Sequence, residues 1–256
     1  LKLNVTGVAL GTLVSSTLTS FIFLIYTFFE LKKLTIINFD IKKIFDIKKI
    51  QNIFNINFNI FIRSVLLTFS FLFFTYLGNT ISEDVVAANT ILINLIFLSA
   101  FILDAYAFST EGIVGYSIGS KNTTLLRNVI KNSFMLSVFT SLLIALLYFY
   151  SKNYFITLMT DLPNIEIISL SYSYWVVIIP LISSFCYQFD GIFVGASQTK
   201  ELRNAMIISV CIYIISAVYL ISNFGNLGLW ISFSIFFIAR ALTLFAYVGR
   251  IYKKIE

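Results

Sequence analysis

Histidine is absent from this chain of 256 residues, proline and cysteine occur twice each, and only 12% of residues are charged. Each shortage excludes something. Without histidine, proton exchange near neutral pH falls to carboxylates. Cys186 and Cys211 both lie inside apolar runs, so there is neither a disulfide framework nor a metal-binding spacing. Two Pro and 11 Gly do not fit a disordered or collagen-like composition. No phosphate loop, metal constellation or soluble-enzyme motif is present. A soluble domain carries about 25% charged residues. This chain is 59% hydrophobic with a mean hydropathy of +0.92, more apolar surface than a water-soluble core can enclose. It therefore reads as an all-α, multi-span membrane protein. The net charge of +6 does not point to nucleic acid, because the basic residues flank apolar runs. The 28 Phe share A/T-rich codons with the abundant Ile, Asn, Lys and Tyr, so their number alone carries little functional weight.

Runs of roughly 20 apolar residues predict about seven transmembrane helices. They fall near Val5–Phe29, Ile56–Gly78, Val86–Ile118, Val129–Tyr150, Ile167–Gly195, Asn204–Ser222 and Leu227–Arg250. The chain opens on Leu1 at the edge of the first run, and is expected to be the C-terminal part of a longer protein. Between the first two spans, Leu31–Asn52 contains a tandem FDIKKI hexad, Phe39–Ile44 and Phe45–Ile50. A helix lying in the headgroup layer and a solvated basic linker both fit that pattern. Alternating the spans puts nearly all Lys and Arg on one side, from Lys32 and Lys33 through Lys121, Arg127, Lys131, Lys200 and Arg203 to Arg250, Lys253 and Lys254. The other side holds Lys2 and Lys152. This bias places the linker and the C-terminus in the cytoplasm. Ser151–Glu166 is expected to form an outer interfacial turn or short helix. Trp175 and Trp230 fit an aromatic belt, and Pro180 should kink the fifth span or free a carbonyl.

The organising stretch is Ala87–Asn122. It is apolar enough to cross a bilayer, yet carries Asp104 and Glu111. Seven residues is close to two helical turns, so both acids point the same way. An ionisable group at membrane depth costs roughly 2.5–3.5 kcal/mol on insertion scales, so that face should meet a cavity or partners. Gly112, Gly115 and Gly119 follow, at a spacing that lets a neighbouring helix approach. Arg63, Asp190 and Arg240 also interrupt spans. At about 1.5 Å per residue, Arg63, Glu111, Asp190 and Arg240 all lie roughly 9–15 Å from the cytoplasmic boundary. Two cations and two anions in one layer predict an ion-paired structural or gating cluster. Asp104 lies nearer the midplane without an obvious cation. It is free to meet a cation or hold a proton, or else hydrogen-bonds a neighbouring Tyr, Ser or Asn.

Three segments resemble one family. LDAYAFSTEGIVGYSIGSKN (Leu103–Asn122), YQFDGIFVGASQTKELRNAM (Tyr187–Met206) and NFNIFIRSVLL (Asn57–Leu67) are similar, in that order, to motifs of the DinF-like branch of the multidrug and toxic compound extrusion (MATE) transporters. LNVTGVALGTLVSS (Leu3–Ser16) resembles the last helix of that family's first lobe. The resemblance implies two six-helix lobes related by a pseudo-two-fold axis. Residues 1–30 would be the last helix of the first lobe, 31–55 a basic cytoplasmic linker and 56–256 the complete second lobe. It also implies a multi-pass protein of the bacterial plasma (inner) membrane. Such a protein exports cationic or amphiphilic small molecules in exchange for protons or sodium ions, with no other cofactor. Asp104, Glu111, Asp190 and Arg63 match motif positions, and Arg240 resembles an arginine of the last helix. Gly191 and Gly195 join the glycines expected to pack helices. One departure is Ala105, where the pattern prefers Gly.

Alternating access by rocking of two lobes is the mechanism this implies, with Asp104, Glu111 and Asp190 as coupling carboxylates. The missing first lobe carries an important coupling acid in this family, so the bare fragment is not expected to transport. The rivals are a lipid- or polysaccharide-precursor flippase of the same superfamily and an inactive truncated remnant. A flippase would want a cationic cavity for phosphates, whereas these interior charges are three acids and two bases. An intramembrane aspartyl protease using Asp104 and Asp190 is disfavoured by their different depths and the absence of GxGD.

Overall fold

The computed structural model describes residues 4–33 and 46–252, and within them the protein is entirely helical. It comprises two compact units, residues 1–52 and 53–256. In the first unit, α1 (Asn4–Lys33) is apolar enough to cross a membrane and exposes almost every described side chain. Its hydroxyls are accommodated locally. Thr17, Thr19 and Ser20 donate to the carbonyls of Leu13, Ser15 and Ser16, at 2.7–2.8 Å. Satisfying polar groups within the helix is what hydrocarbon demands of a spanning segment. Most of the predicted linker, including the first hexad, lies outside the described residues. The described part of the second hexad is helical from Ile47, where α2 (Ile47–Asn79) begins, with Asp46 accepting from the Lys48 amide at 3.0 Å.

The second unit continues with α3 (Glu83–Gly119), α4 (Thr123–Met159), α5 (Pro163–Tyr172) and α6 (Tyr174–Gly195). Ser82 and Asn122 cap α3 and α4, accepting from the amides of Val85 and Leu125 at 3.2 and 2.9 Å. Pro163 starts α5, where its missing N–H costs no hydrogen bond. The predicted fifth span thus divides at Ser173, whose amide bonds the Leu170 carbonyl in a tighter turn. Pro180 sits inside α6 without ending it.

The helical stretch Thr199–Tyr247 has one residue out of helical geometry, Gly225, with φ 54° and ψ −131°. A straight helix of its 49 residues would run roughly 74 Å, more than twice a bilayer's hydrocarbon. Instead Gly225 reverses the chain and makes two arms, α7 (199–224) and α8 (226–247). Tyr213 packs its ring on Phe236 at 5.7 Å and on Phe233 at 6.0 Å. At the open end Arg250 reaches Glu201 at 3.0 Å. A Cβ on Gly228 would collide with the Leu220 carbonyl, so the arms touch backbone to backbone. A positive φ suits glycine because an L side chain is strained there. Among the described residues six helices are long and apolar enough to span, and the hairpin counts twice, which gives seven crossings. A short α9 (Gly249–Tyr252) follows.

Within this unit α3 and α6 share the most extensive contact, and α4 lies against both. The main core is aromatic, with Phe74, Tyr213, Trp230, Phe233, Phe236 and Phe237 all buried. Trp230 departs from the interfacial belt expected of it. It is fully buried, stacks on Trp175 at 6.2 Å, and donates to Asn89 Oδ1 at 3.0 Å. Asn89 and Asn226 exchange a further pair of hydrogen bonds, at 2.7 and 3.2 Å. The indole N–H needs an acceptor wherever water is absent, and Asn89 supplies it from the opposite helix.

Candidate functional site

Asp190 stands on α6 facing two arginines. Arg63 of α2 and Arg240 of α8 each donate an Nη2 hydrogen bond to its Oδ2. Arg240 is buried to within 1% of full enclosure. An isolated guanidinium there would be prohibitive, so pairing with a carboxylate is what allows it. Two cations around one anion still leave an excess positive charge. Asp104 balances it, lying on α3 within electrostatic reach of Asp190, Arg63 and Arg240. The interior cluster is thus two carboxylates and two guanidiniums contributed by four helices. Asp190 Oδ1 is buried with no hydrogen-bond partner among the described residues, as are Arg63 Nε and Arg240 Nη1. The cluster therefore keeps polar capacity that the described residues do not saturate.

Glu111 does not join this cluster, contrary to the predicted layer. The reason is the register of α3 against α6. A Cβ on Gly191 would strike the backbone of Ala107, and one on Gly195 would strike the backbone of Glu111. The helices run parallel with 107 beside 191 and 111 beside 195. That places Asp190 near the height of Asp104 and leaves Glu111 more than a turn, about 7.5 Å, nearer the helix end. Asp104 makes no ion pair among the described residues, but stands within electrostatic reach of both arginines. Glu111 instead lines an open groove of about 450 Å³ with Phe108, Gly112, Gly115, Tyr116, Val194 and Gly195. Its carboxylate has no ion-pair partner among the described residues.

The glycines divide. Gly191 and Gly195 make the close crossing of α3 and α6, and Gly115 lies against the Gly195 carbonyl, its would-be Cβ at 3.4 Å. Gly112 and Gly119 have nothing within 4 Å of a would-be Cβ, so neither packs a helix among the described residues. At 100° per residue Gly115 lies about 60° around α3 from Gly112 and about 40° from Gly119, and only that edge of the stripe meets α6. Ala105, the departure from the family pattern, is exposed, and the close approach falls at Ala107 instead.

A second polar tie escaped the sequence reading. Arg203 Nη1 donates to Asn59 Oδ1 at 2.8 Å, and Asn59 Nδ2 to Thr199 Oγ1 at 3.4 Å, joining α2 to the start of α7. Thr110 donates to Gln188 Oε1 at 3.2 Å, joining α3 to α6. Asn59 and Arg63 are spaced i, i+4 on one face of α2, a signal the sequence carried. On α3, Asp104 and Glu111 lie half-buried at the border between the packed face and an exposed row, Leu98, Phe101, Phe108 and Tyr116.

Seven crossings around an ion-paired interior, with half-buried acids along an uncovered helix, define a multi-pass membrane protein. The chain belongs to the MatE family, whose family model matches residues 60–221. It is 30% identical over 246 residues to DNA damage-inducible protein F of Escherichia coli (strain K12), covering 96% of this chain and 53% of that protein. In fold it is similar to a MOP superfamily transporter from Pyrococcus furiosus, with TM-score 0.70, 17% identity, 78% of this chain and 45% of the other. A MATE transporter from Vibrio cholerae in a bent form is similar too, with TM-score 0.67, 18% identity, 75% of this chain and 44% of the other. The chain spans about half the length of these relatives. The match is to a second-lobe MATE-type fold.

Proposed function

We propose that the chain is the second-lobe part of a secondary active exporter of cationic or amphiphilic toxic compounds, driven by proton or sodium antiport in the bacterial inner membrane. Residues 1–30 supply the last helix of a first lobe, 31–55 the cytoplasmic linker and 56–256 the second lobe. The missing lobe covers the exposed row of α3. The observation that carries this reading is the balanced cluster of Arg63, Asp104, Asp190 and Arg240. Asp104 is the member with no hydrogen bond or ion pair of its own among the described residues, so it is free to exchange a proton, a sodium ion or a cationic substrate. Asp190, clamped by two arginines, is the gating and structural member. Glu111, in its own groove beside Phe108 and Tyr116, is a second carboxylate for a cationic group. Coupling follows if ion and substrate cannot both bind favourably in one state of the rocking lobes. A cluster of two cations and two carboxylates lacks the excess positive charge a phosphate-carrying flippase requires.

The test is ethidium efflux by the full-length protein in vesicles under separately imposed proton and sodium gradients. Efflux is expected to follow one gradient and to fall to background in Asp104→Asn. Unchanged efflux in a well-folded Asp104→Asn protein, or equal efflux with both gradients collapsed, refutes the proposal.

A further inference from the structure

A third feature of the second unit lies away from the charged cluster. The floor of a groove is α6, which presents Leu181, Phe185 and Phe189 at successive turns. One wall is α4 with Ile130 and Phe134, the other α8 with Leu242 and Phe245. Phe134 and Phe189 meet edge to face at 4.9 Å, and Phe189 and Phe245 at 6.3 Å, which fixes the walls against the floor. The groove is about 820 Å³ in volume and almost wholly apolar.

Its two ends differ. At the deep end is Leu181, fourteen residues before the end of α6, or roughly 20 Å at 1.5 Å per residue. At the other end Tyr252 forms the mouth, and Arg127 lies over the Tyr252 ring at 5.9 Å. Lys131 follows the wall residue Ile130, is exposed, and has no partner among the described residues. The groove thus starts at a basic rim close to the helix ends and stops after about the depth of one leaflet, half of a bilayer ~40–45 Å thick with its headgroups. A drug-sized cation would find no polar group inside to orient it, and a basic rim to repel it. An anionic lipid fits both ends.

We propose that this groove binds an anionic phospholipid, with one acyl chain between α4, α6 and α8 and the headgroup phosphate at Arg127 and Lys131. The site is independent of the charged cluster and of the transport reading. Its test uses the full-length protein carrying Phe245→Trp, reconstituted with brominated phosphatidylglycerol or brominated phosphatidylcholine. The readout is the quenching that this tryptophan adds over wild type. Phosphatidylglycerol is expected to bind more tightly, by roughly 5-fold for each basic residue at the rim. Arg127→Gln with Lys131→Gln should bring the two lipids level. Equal quenching by both lipids before those substitutions overturns the proposal. So does no added quenching by either, the result expected if the missing half or a second copy covers the groove. Should Phe245→Trp not fold, native mass spectrometry of the wild type in mixed micelles of the two lipids decides. Retention of phosphatidylglycerol that Arg127→Gln/Lys131→Gln abolishes supports the site, and indiscriminate or no retention rejects it.

Discussion

Removing the carboxylate between Arg63 and Arg240 should be among the most destabilising single changes in the second unit. In Asp190→Asn the two guanidiniums keep their positions but lose the anion both bond. At an effective dielectric of about 20, each close pair is worth on the order of 4 kcal/mol of attraction, and the arginines then repel one another. Relaxation and water offset part of this, and Arg63, one-fifth exposed, can turn partly toward solvent. Breaking a buried pair by deleting one partner typically costs about 3–5 kcal/mol. At roughly 2–4 °C per kcal/mol for a domain of this size, Tm should fall by about 6–20 °C. The measurement is thermal unfolding of the full-length protein in detergent, alongside Arg240→Met and the triple Arg63→Met/Asp190→Leu/Arg240→Met. The triple replaces every member of the triad by an apolar side chain and should recover part of the lost stability, since half-buried Asp104 then loses both cations. The refuting result is Asp190→Asn and Arg240→Met each within 2 °C of wild type, as for a solvated, weakly coupled cluster (~0.5 kcal/mol).

Other expectations follow from the packing. Gly195→Val should prevent α3 and α6 from closing and abolish folded protein, because its Cβ would meet the Glu111 backbone, whereas Gly119→Ala should shift stability by less than about 0.5 kcal/mol. Expression and monodispersity of the two variants separate them. Asn89→Leu leaves Trp230 Nε1 and the Asn226 amide without their partner, at a cost of about 1–3 kcal/mol by thermal unfolding. Gly225→Ala places a Cβ at a positive φ with open space around it, so backbone strain alone should cost on the order of 1–2 kcal/mol by the same measurement.

The hydropathy of the chain was enough to count its crossings, because a bilayer sets the length of every span. The division of the fifth span at Ser173 was not legible, since no Pro or Gly marks it and Pro180, the visible breaker, lies inside α6. Interior charge was legible as interior charge. Which charges meet was only half legible. Counting residues from a helix end gives height along that helix, but the offset between two helices is set by packing. The glycines at 191 and 195 fix that offset, and it brings Asp104 rather than Glu111 to Asp190. Trp230 shows the same limit. Its position near a span end suggested a boundary residue, and only the facing Asn89 explains why it is enclosed.

The reversal at Gly225 has a consequence for how the protein is made. A single-residue turn leaves no loop at the tip, so α7 and α8 are expected to settle across the bilayer as one hairpin. The contacts of Tyr213 with Phe233 and Phe236 then hold the two arms together. A spacer of a few polar residues at this tip is expected to loosen that pairing.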